Sequence, residues 1–223
     1  MDITFGILTC QNQQNVNVII ESIISQAIPR FEIIVVGDVN DIWNRENIKI
    51  TNDSTANKKN HISRKKNIII EKSTMPIIVM LKDYVSLGPR WYDGMIKYGN
   101  DFDIIMNKIE DKNNNRYLDW IWENPEVGSG RNIGYDINDH DGMFCPGVMT
   151  IAKKYVFQEF QFNENMIGLG KPTDVEWSKR AMKKYSYKMN ISSKCILIER
   201  HNRYPRFRRA CNCSRCKNIG IDK

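Results

Sequence analysis

The residues able to do chemistry fall at the ends of apolar runs. Asp83 follows Pro76-Ile77-Ile78-Val79-Met80-Leu81 and Lys82, a run that reads as a buried strand. In an open α/β sheet, ligands gather outside the carboxyl ends of the strands. A carboxylate there can hold a divalent cation, and the cation can hold a diphosphate. A lone Asp at such an end is also an ordinary polar terminus. Asp38 closes a second apolar run, Phe31 to Val36, beside the end of a first run at Thr9. An Asp so placed can accept hydrogen bonds from a nucleobase or ribose, or simply form a turn.

Asp174 sits in Thr173-Asp174-Val175-Glu176, the pattern of a capping box. Thr173 would be the N-cap and Glu176 would reach back to it. Asp174 then lies in a first helical turn, where the helix dipole favours negative charge. A carboxylate held rigidly there can serve as a general base. Gly168 and Gly170 would let the chain approach a ligand closely. Arg64 and Lys65 open the helix before the Asp83 strand and can reach phosphate oxygens. His201 follows the last strand and can join Asp83 in a metal site, although a lone His is commonly structural. Cys211, Cys213 and Cys216 resemble part of a zinc set with His201. Their irregular spacing and the missing second pair favour a tail without metal.

These residues need elements to position them. Ile3 to Leu8 reads as a first strand. Val16, Ile19, Ile20, Ile23, Ile24 and Ala27 recur at helical spacing, and Pro29 suits the end of that helix. Phe31 to Val36 completes a βαβ unit, so the two strands should run parallel. Ile48 to Ile50 is a short third strand, and 51–60 reads as polar loop. Ile62 to Lys72 is a helix feeding the Asp83 strand. A turn at Gly88-Pro89 starts another helix to about Tyr98, and Asp103 to Met106 is a strand. The stretch 108–142 is polar and loop-rich, with Tyr117, Trp120, Trp122 and Tyr135 embedded in it; a loop this long is usually functional or mobile. Val148 to Ala152 restores a strand, Lys171 to Tyr187 reads as a helix, and Cys195 to Ile198 as a last strand.

The 223 residues, 41% hydrophobic and 26% charged, suit one large domain or two small ones with a substantial core. The net charge of +7 gathers at Lys58, Lys59, Arg64, Lys65 and Lys66, and again at Arg203, Arg206, Arg208 and Arg209. Such clusters suit phosphate-bearing partners or a solvated basic face. Only Tyr204 and Phe207 interleave the basic tail, which is thin for nucleic-acid binding. No apolar run spans a bilayer and no secretory signal is visible. The expectation is therefore a cytoplasmic protein whose six cysteines are free thiols.

Taken in order, several stretches resemble the GT-A-fold, nucleotide-sugar-dependent inverting glycosyltransferases of family 2. They are Ile3 to Thr9, Ile24 to Gly37, Ser63-Arg64-Lys65-Lys66-Asn67, Met80-Leu81-Lys82-Asp83-Tyr84, Arg116 to Trp120 and Asp174 to Ser178. The resemblance implies a single α/β domain over residues 1–202, Rossmann-like, with a mostly parallel central sheet flanked by helices. Residues 1–100 would form the nucleotide-sugar half and 101–202 the acceptor half, with 203–223 a basic Cys-containing tail. It implies that Thr9 and Asp38 hold the nucleoside, and that Arg64 and Asn67 approach the diphosphate. Asp83 would be the surviving acid of an Asp-x-Asp motif, binding Mn2+ or Mg2+ with His201. Asp174 would deprotonate the acceptor, a glycan or glycoprotein hydroxyl, and the donor would be a UDP-sugar. The sequence departs from the pattern at Lys82, where an acid or His is often found, and at Thr173, where a Glu often precedes the Asp. Lys82 can itself supply positive charge to a leaving diphosphate. The competing expectation is a nucleotide- or nucleic-acid-binding module on the same fold without transfer chemistry.

Overall fold

The computed structural model describes residues 1–40, 42–43, 45–58, 61–124, 129–137, 142–168 and 172–198. Its main element is an eight-stranded mixed sheet. The first half is a parallel set: β1 (Ile3–Leu8), β2 (Phe31–Val36), β3 (Ile48–Thr51) and β4 (Ile77–Lys82). β1 is central in this set, paired with β2 on one side and β4 on the other, and β3 lies outside β2. The crossovers between these strands are α1 (Gln13–Ile24), then the short α2 (Ser54–Lys58) and α3 (Ile62–Lys72).

Alternation along the strands explains the layering. Ile3, Phe5, Ile7, Ile33, Val35, Val79 and Leu81 face one core, where α1 lays down Val16, Ile19, Ile20 and Ile23. Ile34, Val36, Ile78 and Met80 face a second core, closed by Ile68, Ile69 and Ile70 of α3. Both faces are covered, so these strands read as continuous apolar runs. At Gly6 the helix comes so close that a Cβ would stand 2.5 Å from Ile69 Cγ2; glycine there lets α3 pack against β1.

Beyond β4 the chain forms β5 (Val85–Leu87), α4 (Trp91–Tyr98) and β6 (Ile104–Glu110), and later β10 (Met149–Lys153), α5 (Lys154–Glu159), α6 (Thr173–Ala181) and β11 (Tyr187–Leu197). β10 runs antiparallel between β4 and β6, β6 pairs in parallel with β11, and β5 closes the edge antiparallel to β11. A three-stranded antiparallel sheet, β7 (Ile121–Asn124), β8 (Ser129–Asn132) and β9 (Met143–Phe144), takes two of its strands from the stretch expected to be loop and the third from just beyond it.

Several expectations need correction. The 51–60 stretch contains α2, started where the Asp53 carboxylate accepts from the Ala56 N–H at 2.8 Å. The 108–142 stretch is organised around a buried carboxylate. Asp119 is 0% exposed. It accepts from the N–H groups of Ile109 and Trp120, from Arg116 Nε and from the Tyr135 hydroxyl. That hub ties β6, the 116–120 turn and Tyr135 together without regular periodicity, which is why the sequence reads as loop. Trp120 is a core residue there, and its indole N–H donates to the Ile137 carbonyl at 2.7 Å. The helix expected over 171–187 ends at Ala181, because Tyr187 to Asn190 is drawn into pairing with β6. β11 is accordingly longer than the four residues expected, with an irregularity between Asn190 and Lys194.

Candidate active site

The carboxyl ends of β1, β2, β3 and β4 are held level by ladder bonds that run one step past the strands. The Asp83 N–H donates to the Leu8 carbonyl, the Thr9 N–H to Val36, the Gly37 N–H to Thr51 and the Asp38 N–H to Cys10. The result is an edge on which Thr9, Asp38 and Asp83 stand side by side, as their positions at strand ends lead one to expect.

Thr9 and Asp83 are joined directly. Thr9 Oγ1 donates to Asp83 Oδ2 at 2.8 Å, and both residues are buried. The same hydroxyl accepts from the Asn12 N–H, so Thr9 couples the strand end to the start of α1. Asp38 is exposed, and its carboxylate accepts weakly from Gln11 and Asn52 at 3.2 and 3.3 Å. It is therefore accessible to a polar ligand.

The first turns of α3 bring basic residues to this edge. Lys65 is fully buried and its Nζ donates to the Thr9 carbonyl at 2.6 Å. Burial lowers its pKa, opposed by Cys10, Asp83, Asp53 and Asp38. Lys66 is buried alongside it, with Nζ 4.1 Å from the centroid of the Phe162 ring. Sequence reasoning placed Lys66 in a basic cluster and in the Ser63 to Asn67 stretch of the resemblance, without a role of its own. A charged residue flanked by Lys65 and a strongly apolar helix face was the available signal.

Arg64 and Asn67 are used differently. Arg64 pairs with Glu71 at 2.9 Å, Glu164 at 3.4 Å and Asp53 at 3.8 Å. Together with Asp53, His61 and Glu164 it lines a pocket of about 280 Å³. Asn67 is buried and exchanges two hydrogen bonds with the Phe162 backbone, while its amide also donates to Glu164. It fixes the 162–164 segment, and both amide protons are engaged in doing so.

Asp174 arrives from the other half of the chain. The Lys82 N–H donates to the Val148 carbonyl, and the adjacent Gly147 N–H donates to Asp174 Oδ2 at 2.8 Å. Ser178 adds a clamp: its hydroxyl donates to the Asp174 carbonyl and accepts from the Cys145 N–H. Two consecutive residues, Gly147 and Val148, therefore link the end of β4 to the start of α6. Asp174 Oδ1 has no hydrogen-bond partner among the described residues. The expected capping box does not form. Pro172 precedes the helix, no side chain caps it, and Glu176 is bonded bidentately to Arg180 at 2.6 and 3.0 Å. A carboxylate committed to a guanidinium one turn on cannot also reach back. Gly168 adopts φ +102°, while Gly170, His201 and the Cys211, Cys213, Cys216 tail lie outside the described residues. Cys10, Cys145 and Cys195 are free thiols, as expected.

The donor set for a divalent cation at Asp83 is thin among the described residues. A cation that bridges to a diphosphate is commonly held by one or two carboxylates, the phosphates and water. Asp83 supplies one carboxylate, already bonded to Thr9, and its neighbours in the chain are Lys82 and Tyr84. No three His, Cys, Asp or Glu side chains converge among the described residues. Positive charge stands beside the carboxylates: burial lowers the pKa of Lys82, opposed by Asp174 and Asp83.

No family model and no curated protein matches the sequence. Solved structures do match its shape. S. aureus TarS superposes with a TM-score of 0.64 at 13% identity, over 89% of this chain and 37% of that one. GalNAc-T7, solved with UDP, GalNAc and Mn2+, superposes with a TM-score of 0.67 at 11% identity, over 89% of this chain and 44% of that one. The fold is GT-A. A TarS structure covering residues 1–349 gives a TM-score of 0.58 at 14% identity, with 58% of its chain covered. The chain thus spans less than two thirds of each of these neighbours. In the GT-A frame, the edge bearing Thr9, Asp38 and Asp83 lies where the general rule for open α/β sheets puts a ligand. No helix among the described residues is long and apolar enough to cross a membrane.

Proposed function

We propose that the chain is an inverting glycosyltransferase that moves a sugar from a nucleoside diphosphate donor, a UDP-sugar, to a hydroxyl of a glycan or glycoprotein. The observation that carries this reading is the placement of Asp174. Gly147 holds one carboxylate oxygen and leaves the other without a partner, across from the strand end that bears Lys82 and Asp83. Asp174 removes the acceptor proton as the acceptor oxygen forms its bond to the anomeric carbon. The bond from that carbon to the diphosphate breaks, and its electron pair leaves with the diphosphate. Attack and departure on opposite faces invert the centre. Thr9 and Asp38 hold the nucleoside. The fixed geometry supplies most of the advantage, by orientation.

A cation at Asp83 and His201 is the assignment that the resemblance implies, and GalNAc-T7 was solved with Mn2+. Among the described residues Asp83, bonded to Thr9, would hold it with one carboxylate, and a cation there would neutralise the leaving diphosphate; His201 lies outside those residues. The half-buried Tyr117, Trp122 and Tyr135 are the aromatics of the 108–142 stretch assigned to acceptor sugar faces; Tyr135 also donates to Asp119, and Trp120 is in the core.

The test is to incubate the protein with a panel of UDP-sugars and measure UDP release, with and without acceptor glycans. Slow release from one donor, accelerated by one acceptor, supports transfer. The rival, a nucleotide-binding module on the same fold, is favoured by the thin donor set at Asp83. It predicts UDP binding with no release from any sugar donor.

A further inference from the structure

Two lysines stand at the site with no acceptor. Lys66 is 1% exposed, yet its Nζ has no hydrogen-bond partner among the described residues. Lys82, at the end of β4, is half-buried, and its side chain makes no ion pair or hydrogen bond among them. They feel each other: burial, opposed by Asp174 and helped by Lys82, brings the Lys66 ammonium down to about 8.

A buried ammonium without a partner is costly, and buried polar groups nearly always have one. The nearby carboxylates do not discharge that cost. Asp83 Oδ2 is bonded to Thr9 and Asp174 Oδ2 to Gly147. Neither carboxylate comes within ion-pair distance of Lys66 or Lys82 among the described residues. Lys65, by contrast, is anchored on the Thr9 carbonyl. What the pair lacks is an anion with several oxygens. The first turn of α6 adds the positive end of its dipole to the same place. The edge where a donor diphosphate would lie therefore offers two ammonium groups that no described carboxylate pairs, and one carboxylate, that of Asp83, for a cation.

We propose that Lys82 and Lys66 form a paired-ammonium subsite that takes the diphosphate of the donor in place of a divalent cation, Lys82 at its mouth and Lys66 behind it. The word donor rests on the transferase reading; the affinity for a diphosphate does not. Lys82 meets the phosphate oxygens directly. Lys66 supplies a fixed charge from beneath, held in place by Phe162. The arrangement follows the rule that leaving-group charge is best met by preorganised groups in a site shielded from water.

Calorimetric titration with inorganic pyrophosphate and with UDP tests this, first in EDTA and then in Mn2+. Both probes should bind in EDTA, and Mn2+, which itself complexes diphosphates, should not strengthen the binding. Lys82→Met and Lys66→Met should each weaken pyrophosphate about tenfold or more, as for loss of a hydrogen bond to a charged group. Lys82→Arg should restore most of the loss at that position, which separates charge from a folding defect. Binding that appears only with Mn2+, or that survives intact in both Met variants, overturns the proposal. The two readings fail separately. Loss of pyrophosphate in the lysine variants with no UDP-sugar turned over would leave the subsite standing and end the transferase reading. Transfer that needs Mn2+ and ignores both lysines would do the reverse.

Discussion

The Gly147 backbone N–H donates to Asp174 Oδ2 at 2.8 Å, and a Cβ on Gly147 would stand only 3.1 Å from that oxygen. The contact is the hinge of the candidate site. It joins the segment before β10, itself bonded to the end of β4, to the first turn of α6. Gly147→Ala should therefore keep the fold, since Gly147 has no left-handed φ to preserve, but should push the carboxylate aside. The shift needed is a few tenths of an ångström, and a misplacement of about 1 Å can cost about 100-fold in rate, which is the upper bound here. Transfer kinetics should show kcat down by about 10- to 100-fold with the KM for donor little changed. An unaltered kcat would mean that the carboxylate position is unimportant.

Replacing the carboxylate itself is the stronger test. Asp174→Asn keeps the size and the acceptor for the Gly147 N–H but cannot take a proton. Turnover should fall by about 10²–10⁴, the span for loss of a general base, with donor affinity near wild type. If Asp174 served only the helix start, the change would cost well under about 1 kcal/mol of stability through the dipole, and rates would hold.

Asp38 is exposed, with only two long hydrogen bonds to Gln11 and Asn52. Asp38→Ala should leave thermal stability nearly unchanged while weakening UDP by roughly 1–3 kcal/mol, the usual range for a hydrogen bond to a charged group. Calorimetry with UDP and with pyrophosphate in parallel makes the result specific. Only UDP should weaken, because Asp38 is assigned to the nucleoside. Equal affinities for UDP in the two proteins would take Asp38 out of the site.

Lys66 has a stability signature of its own. Its pKa in the fold is about 8, against an ordinary value of 10.5, with burial the largest cause. Between these values the unfolded chain holds a proton that the folded chain does not. Stability contributed by this group therefore rises with pH through the window from 8 to 10.5, and the full penalty is present below 8. The penalty is roughly 3 kcal/mol. Lys66→Met should melt higher than wild type at pH 7, and the gap should close toward pH 10.5. Stabilisation together with loss of pyrophosphate is the mark of a charge kept for function. A variant that melts lower at pH 7 would show that the ammonium is satisfied in the fold.

Asp119 carries the opposite expectation. Its carboxylate has four protein donors and no exposure, and Arg116, its ion-pair partner at 2.8 Å, also lies over the Tyr135 ring. Asp119→Ala should destabilise by about 3–5 kcal/mol, the range for breaking a buried pair. Chemical denaturation should register that loss.

The parallel half of the fold was legible because its signals are local. Ile3 to Leu8, Phe31 to Val36 and the run ending at Lys82 are apolar on both faces. α1 and α3 have helical spacing, and the short crossover forces parallel pairing. This alone put Thr9, Asp38 and Asp83 at strand ends, and strand ends in a parallel sheet share one edge. Other features have no local signal. Asp119 organises 108–142 through donors up to sixteen residues away. Glu176 preferred Arg180 to its own helix start. α6 stops at Ala181 because β6 offers the next residues a pairing edge. Most of all, the sequence holds Lys66, Lys82, Gly147 and Asp174 far apart, and nothing in their spacing says that they meet. The antiparallel return of β10 beside β4 brings Gly147 and Asp174 to the Lys82 strand end, while α3 carries Lys66 into the core beside the sheet. That is a pairing decision made by the whole sheet, through ladder bonds and two-sided burial, and it is invisible to any stretch of chain read alone.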